Sequence, residues 1–401
     1  MHGKGTYPLT MGQLSMWRDL RVRPRRRLWE SNLDPVWAVP PGVTTDQVRR
    51  AFVELAVRHE SLRTVYRPAD DPHHVRQVVL PDPGVLFAEA PVREAFDLTE
   101  RPPWRAWVRA DGGAPRVHLV IHHIAADGVA LQILESDFQS LLRGDRLAPA
   151  PTPGELAARQ RSDRLRARLT AAAGYVTRTV GTAPPAVPVA RGPLVRARAH
   201  TGIPYSVARW TARKLQVTLP NLLLSAYAQA LAATTGTPRH LLWLLTGNRL
   251  DPAVRRLVSS LTQWVPLAVE CPPGTPVAVA AADVNVTALT AAQYGVYDPF
   301  AVPPLDFDRG AFFTYLPPPL TATTEESTEE STVEKAWVEW LPPRGYSGAS
   351  FYLIASVFPS VRLTLRVQRG GYGRPEADHF LGTMTRLLRQ AAREYTVVEP
   401  A

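Results

Sequence analysis

The chain has 401 residues, of which 45% are apolar and 20% charged, an ordinary globular composition with enough length to bury a sizeable core. One cysteine, Cys271, excludes an intrachain disulfide framework and a thiolate metal cluster, and it fits a reducing compartment. The formal charge is +10, carried mainly by arginine as in Arg21 to Arg27, so an acidic partner is expected; no zinc finger or aromatic-interleaved basic motif points to nucleic acid.

Met1 to Leu9 lacks a cationic segment followed by an apolar one, and no apolar run reaches the ~18 residues of a membrane span. A cytoplasmic protein without membrane contact is the expectation. Gln13 to Leu20 reads as a short helix. Thr44 to Leu62 reads as a longer one, opened by a Thr44/Gln47 capping box and carrying Val48, Phe52, Leu55, Ala56, His59 and Leu62 at helical spacing. Val75 to Leu80 is a predicted strand closed by Pro81. Trp104 to Ala110 and Arg116 to His123 are predicted paired strands, with turn residues over 111–115.

A helix follows from Gly128 to Leu142, with Gly144 as its stop, and a polar, Arg-rich helix covers about 154–179. The Pro-rich segment 183–188 reads as a linker. Beyond it come an apolar helix over 219–234, strands over 240–245 and 312–316, and a polar Thr/Ser/Glu loop over 321–335. Paired strands over 351–357 and 361–367 and a closing helix over 375–395 complete the chain. Two α/β lobes follow, over 1–180 and 195–401, joined by a linker at 181–194.

The densest chemistry lies in His122, His123, Asp127 and Gly128, where a strand ends and a helix begins. Imidazole titrates near pH ~6.5 and can exchange a proton at neutral pH. On a strand the two histidines point to opposite faces, which favours His123 for chemistry and His122 for support. Asp127 can cap the helix or pair with an arginine, and Gly128 permits close backbone approach. The opposite facing, the absence of HExxH and the lack of a nearby cysteine argue against a metal. Neither a G-x-S-x-G elbow nor a P-loop is present. Cys271 reads as a loop or core thiol.

His122 to Gly128 fits HHxxxDG, the signature of the condensation domains of nonribosomal peptide synthesis and their acyltransferase relatives. Other segments resemble that family in order. Leu9 to Trp17 resembles its LTxxQxxxW opening, and Arg58 to Tyr66 its RHExLRTxF. Tyr175 stands at its YW pair, with Val176 in place of Trp. Thr246 to Arg249 through Pro266-Leu267, and Phe312 to Tyr315, resemble two later motifs. The resemblance spans essentially the whole chain. It implies two chloramphenicol-acetyltransferase-like lobes forming a V-shaped pseudo-dimer with a tunnel between them.

It further implies a free-standing, monomeric condensation enzyme of antibiotic biosynthesis. Such an enzyme joins an acyl thioester on a carrier protein to an amine, with no bound cofactor. Acyl and peptidyl carrier proteins would present substrates on phosphopantetheine arms. By the same resemblance His123 faces the reaction and Arg63 pairs with Asp127. An O-acyltransferase and a non-catalytic recruitment module are the alternatives. The family's GxFVNTxP reads here as Ser259 to Pro266, so Gln263 and Trp264 become candidates for a tunnel wall, or for core packing.

Overall fold

The computed structural model describes residues 5–82, 86–88, 95–109, 115–182, 184, 192–307, 310–320, 333–343 and 348–396. The chain forms two compact units. The first takes residues 1–173, 247–263 and 296–301, and the second takes 174–246, 264–295 and 302–401. The chain therefore does not divide at one point in sequence, as lobes of 1–180 and 195–401 would have it. The expected turn at 111–114, most of the linker and most of the polar loop lie outside the described residues.

In the first unit, β1 (Thr6–Pro8) leads into α1 (Met11–Val22). A closed capping box starts this helix. Thr10 Oγ1 accepts from the Gln13 amide, and Gln13 Oε1 accepts from the Thr10 amide at 2.8 Å. The Gln13 side chain then donates to Gln77 Oε1 at 3.1 Å. The LTxxQ segment is thus a helix start whose capping glutamine is tied into a neighbouring strand.

After β2 (Asn32–Leu33) and β3 (Val36–Ala38), α2 (Thr45–Arg58) opens on the predicted Thr44/Gln47 box. It stops at Arg58 rather than Leu62. His59 has extended backbone, and Glu60–Arg63 form a 3-10 turn that feeds β4 (Thr64–Arg67). β5 (Arg76–Val79) pairs antiparallel with both β1 and β4. β6 (Trp104–Arg109) and β7 (Arg116–His122) pair antiparallel as expected, with β2 and β3 also on β7. α3 (Gly128–Leu142) follows. The single polar helix expected over 154–179 is two, α4 (Pro153–Gln160) and α5 (Asp163–Thr182), broken at Arg161.

The core of this unit clusters Val117, Leu119 and Ile121 of β7 with Phe52 and Leu55 of α2 and Ile133, Leu134 and Phe138 of α3. Phe52 lies at its centre, with ring centroids 5.3 Å from Phe138 and 5.6 Å from Trp104. Fully burying one such ring contributes about 2–3 kcal/mol by transfer alone, so this cluster anchors α2 and α3 to the sheet.

In the second unit, β8 (Val195–Pro204), α6 (Tyr205–Lys214), α7 (Leu219–Thr235), β9 (Arg239–Thr246) and β10 (Gln263–Glu270) are followed by α8 (Val277–Gln293). Then come β11 (Ala311–Leu316), β12 (Trp337–Trp340), β13 (Phe351–Ser356), β14 (Ser360–Val367) and α9 (Arg374–Thr396). They build a seven-stranded mixed sheet in the order β10-β9-β11-β13-β14-β8-β12. β11 runs parallel to both β9 and β13. β8, β10, β12, α6 and α8 were not anticipated.

Strand alternation separates the two faces of this sheet. Leu242, Leu244, Ala311 and Phe313 join the apolar cluster formed with α7, α8 and α9, whereas Trp243 and Phe312 join a smaller aromatic one. α7 is buried almost all round and ends on Gly236 in the left-handed conformation.

Candidate functional site

β7 ends at His122, and His123 opens the turn that leads to α3. The strand alternation used to separate the two rings therefore stops one residue short of His123. Their different settings come from burial instead. His122 is 2% exposed, and its Nδ1 accepts from the Ile124 amide at 3.1 Å. Burial, reinforced by the charge of Arg23, holds its ring down to about 3.

His123 is partly exposed. Its amide donates to Ser31 O at 2.7 Å. Burial also lowers its proton affinity, opposed by its own backbone and by Asp127. Both rings are therefore neutral at pH 7. The Nδ1 of His123 is buried without a hydrogen-bond partner among the described residues.

Asp127 is fully buried and fully engaged. Its Oδ1 caps α3 by accepting from the Ala130 amide at 2.8 Å. Its Oδ2 accepts from the Leu261 amide at 3.0 Å. Arg249 Nη2 lies 2.8 and 3.0 Å from the two oxygens. This pair corrects the expectation for Arg63. That side chain donates to Leu80 O at 2.8 Å and sits 3.8 Å from Glu60, within its own motif, so it is spent locally.

Arg249 was visible only as part of the Thr246 to Arg249 segment, without a role. Its other terminal nitrogen donates to Val254 O and Leu257 O, which fixes the loop that reaches Asp127. Gly12, inside the LTxxQxxxW segment, has a second constraint that no local pattern announces. A Cβ there would lie 2.3 Å from Ser260 O and 2.7 Å from Leu261 Cα. Only glycine lets α1 approach the segment that braces Asp127.

Gly128 begins α3, and apart from its chain neighbours and its own helix backbone, no atom of the described residues lies within 4 Å of where its Cβ would be. Packing among the described residues does not demand a glycine there. Gln263 and Trp264 fall in different units. The Gln263 side chain, 1% exposed, donates to Tyr297 O at 2.9 Å. Trp264 packs edge-on to Phe312 at 4.9 Å and to Tyr352 at 5.8 Å. Tyr175 donates to Pro266 O at 3.1 Å and stacks on Tyr294 at 4.6 Å.

A scan against protein-family models finds no match. The chain is 27% identical over 259 residues to the AMB antimetabolite synthetase AmbB of Pseudomonas aeruginosa, covering 57% of this chain and 20% of that protein. It is 36% identical over 157 residues to the probable non-canonical nonribosomal peptide synthetase CymA of Salinispora arenicola, covering 36% of this chain and 2% of that one. The matched stretches thus span a fifth or less of these two relatives.

Among solved structures, the condensation domain that mediates chain release from the enacyloxin polyketide synthase superposes over 98% of this chain and 84% of its own. The TM-score is 0.74 and the identity 17%. The epimerization domain of tyrocidine synthetase B superposes over 99% of this chain and 100% of its own, with a TM-score of 0.74 and 16% identity. The chain has the condensation-domain fold. On this fold, the HHxxxDG segment is a neutral, partly exposed His123, a buried His122 and an Asp127 locked by Arg249. No described helix of the chain is long and apolar enough to cross a membrane.

Proposed function

We propose that this chain is an acyltransferase of the condensation type. It joins an acyl group, held as a thioester on a carrier protein, to an amine in nonribosomal peptide or related natural-product biosynthesis. One observation carries the reading: a neutral, partly exposed His123 stands beside a carboxylate whose every oxygen is already committed. Asp127 holds the turn, and His123 is left to meet a reactant.

The chemistry follows from that division. The acceptor amine attacks the thioester carbonyl. A C–N bond forms as the C–S bond breaks, and the amine proton must leave. A neutral imidazole takes that proton or positions the amine, and returns a proton to the departing thiolate; such assistance supplies typically 10²–10⁴-fold. Nδ1 of His123 is enclosed, so Nε2 is the nitrogen assigned to this exchange. The backbone amides at the start of α3 would stabilise the oxyanion, and the bare Gly128 leaves room for it.

Purified chain is incubated with acyl-loaded carrier proteins and a panel of amines and alcohols, and products are identified by mass. An amide that disappears in His123→Ala supports the reading. An ester with no amide replaces it by O-acyl transfer. No product from any pair, or unchanged turnover in His123→Ala, overturns it.

A further inference from the structure

At the far end of α3 a cleft of about 570 Å³ opens among Arg58, Ser136, Asp137, Ser140, Pro252 and Arg256. Its one carboxylate, Asp137, is 1% exposed. Asp137 Oδ2 accepts from Arg58 Nε at 2.8 Å and lies 2.9 Å from His59 Nε2. Oδ1 accepts from Arg256 Nη2 at 2.5 Å. Burial lowers the proton affinity of His59, outweighing the pull of Asp137, so the ring is neutral and donates through Nε2. Two guanidinium charges thus face one carboxylate, which leaves the cleft with one net positive charge.

The surplus is of donors as well as charge. Arg58 spends only Nε, and Arg256 only one terminal nitrogen. Both terminal nitrogens of Arg58 and the second of Arg256 have no protein partner among the described residues. The hydroxyls of Ser136 and Ser140, which also line the cleft, add donors. At the other end of α3, by contrast, Arg249 spends both terminal nitrogens on the protein. An ion pair built only to fold the chain would not need the spare donors at Arg58 and Arg256.

We propose that this cleft binds a phosphoryl group, as free phosphate or as a phosphate monoester. Paired guanidinium groups with unused N–H donors match its three terminal oxygens. This inference stands apart from the acyl-transfer reading, because neither arginine is assigned a part in that reaction.

The test is titration calorimetry on the whole chain with inorganic phosphate and with phenyl phosphate, at ionic strength held constant with potassium chloride. Saturable binding of either probe is expected, weakened at least tenfold in Arg256→Ala. Tighter binding of phenyl phosphate would identify an ester as the natural form, and of phosphate the free anion. Ser140→Glu puts a negative charge in the cleft without touching the Asp137 ion pairs, and it should also weaken binding at least tenfold. Ser140→Gln, of equal size, should retain it. No saturable heat with either probe, or equal loss in Ser140→Gln and Ser140→Glu, would overturn the proposal.

Discussion

The two ends of α3 each bury a carboxylate against an arginine from the 247–263 segment, yet the two pairs are built differently. Asp127 at the start is sealed: three protein donors make four hydrogen bonds to its two oxygens, and Arg249 spends its other terminal nitrogen on two carbonyls. Asp137 near the end is equally buried, but its arginines are under-used and one of them, Arg256, is half exposed. Similar composition thus gives a rigid brace at one end and a donor-rich cleft at the other. What decides the outcome is how many donors the surrounding backbone consumes, not the presence of an Asp–Arg pair.

The comparison breaks most visibly if the sealed pair is opened. Arg249→Ala leaves an uncompensated charge at a fully buried Asp127, which costs about 3–5 kcal/mol. Urea unfolding should show this as a lowered midpoint with an unchanged slope. Asp127→Ala should cost a similar amount, since it also strips the cap from α3. The double variant should cost much less than the sum, because the two residues serve one interaction. Additive losses would mean that the two residues support the fold separately. Arg256→Ala should cost well under half as much, because Arg58 and His59 still hold Asp127's counterpart and water reaches the site.

The next effect tests what the brace rests on. Gly12→Ala forces a Cβ against the backbone of Ser260 and Leu261, neither of which is a flexible side-chain tip. Such overpacking costs typically about 1–3 kcal/mol. Gly128→Ala meets nothing and should be neutral for stability within about 0.5 kcal/mol. Its consequence, if the proposed function holds, is confined to turnover. A Gly128→Ala variant that unfolds early would show that the helix start is constrained in a way its open surroundings do not reveal.

How far the sequence showed this depended on range. The capping box at Thr44/Gln47, the β6–β7 pair and α3 rest on neighbours three or four residues apart or on simple alternation, and those elements stand close to where the pattern puts them. HHxxxDG was legible for the same reason. The partner of Asp127 was not. Arg63 and Arg249 are both arginines in recognisable segments, and only three-dimensional proximity selects between them. Gly12 is unreadable in the same way, since its constraint lies on the Ser260–Leu261 backbone. β8 and β12 pair with each other across more than a hundred residues, and no local pattern announces such a pairing.

A further effect concerns the histidines and separates the two rings by stability alone. Burial lowers the folded-state proton affinity of His59, His122, His123 and His240 below the ordinary value near 6.5. The unfolded chain therefore binds protons before the folded one does. Stability from these rings is complete above about pH 6.5 and is lost as pH falls below it, at up to about 1.4 kcal/mol per pH unit for each ring still neutral in the fold. For His122 the loss continues down to about pH 3. Urea midpoints measured from pH 7.5 to pH 5 should fall steadily. His122→Gln keeps an acceptor for the Ile124 amide but cannot titrate, so it should remove one ring's share of that slope. His123→Gln should remove less, because Asp127 and the residue's own backbone already favour its protonated form. A pH slope that neither substitution changes would place the acid sensitivity in the paired carboxylates, and would leave burial of the two motif rings energetically silent.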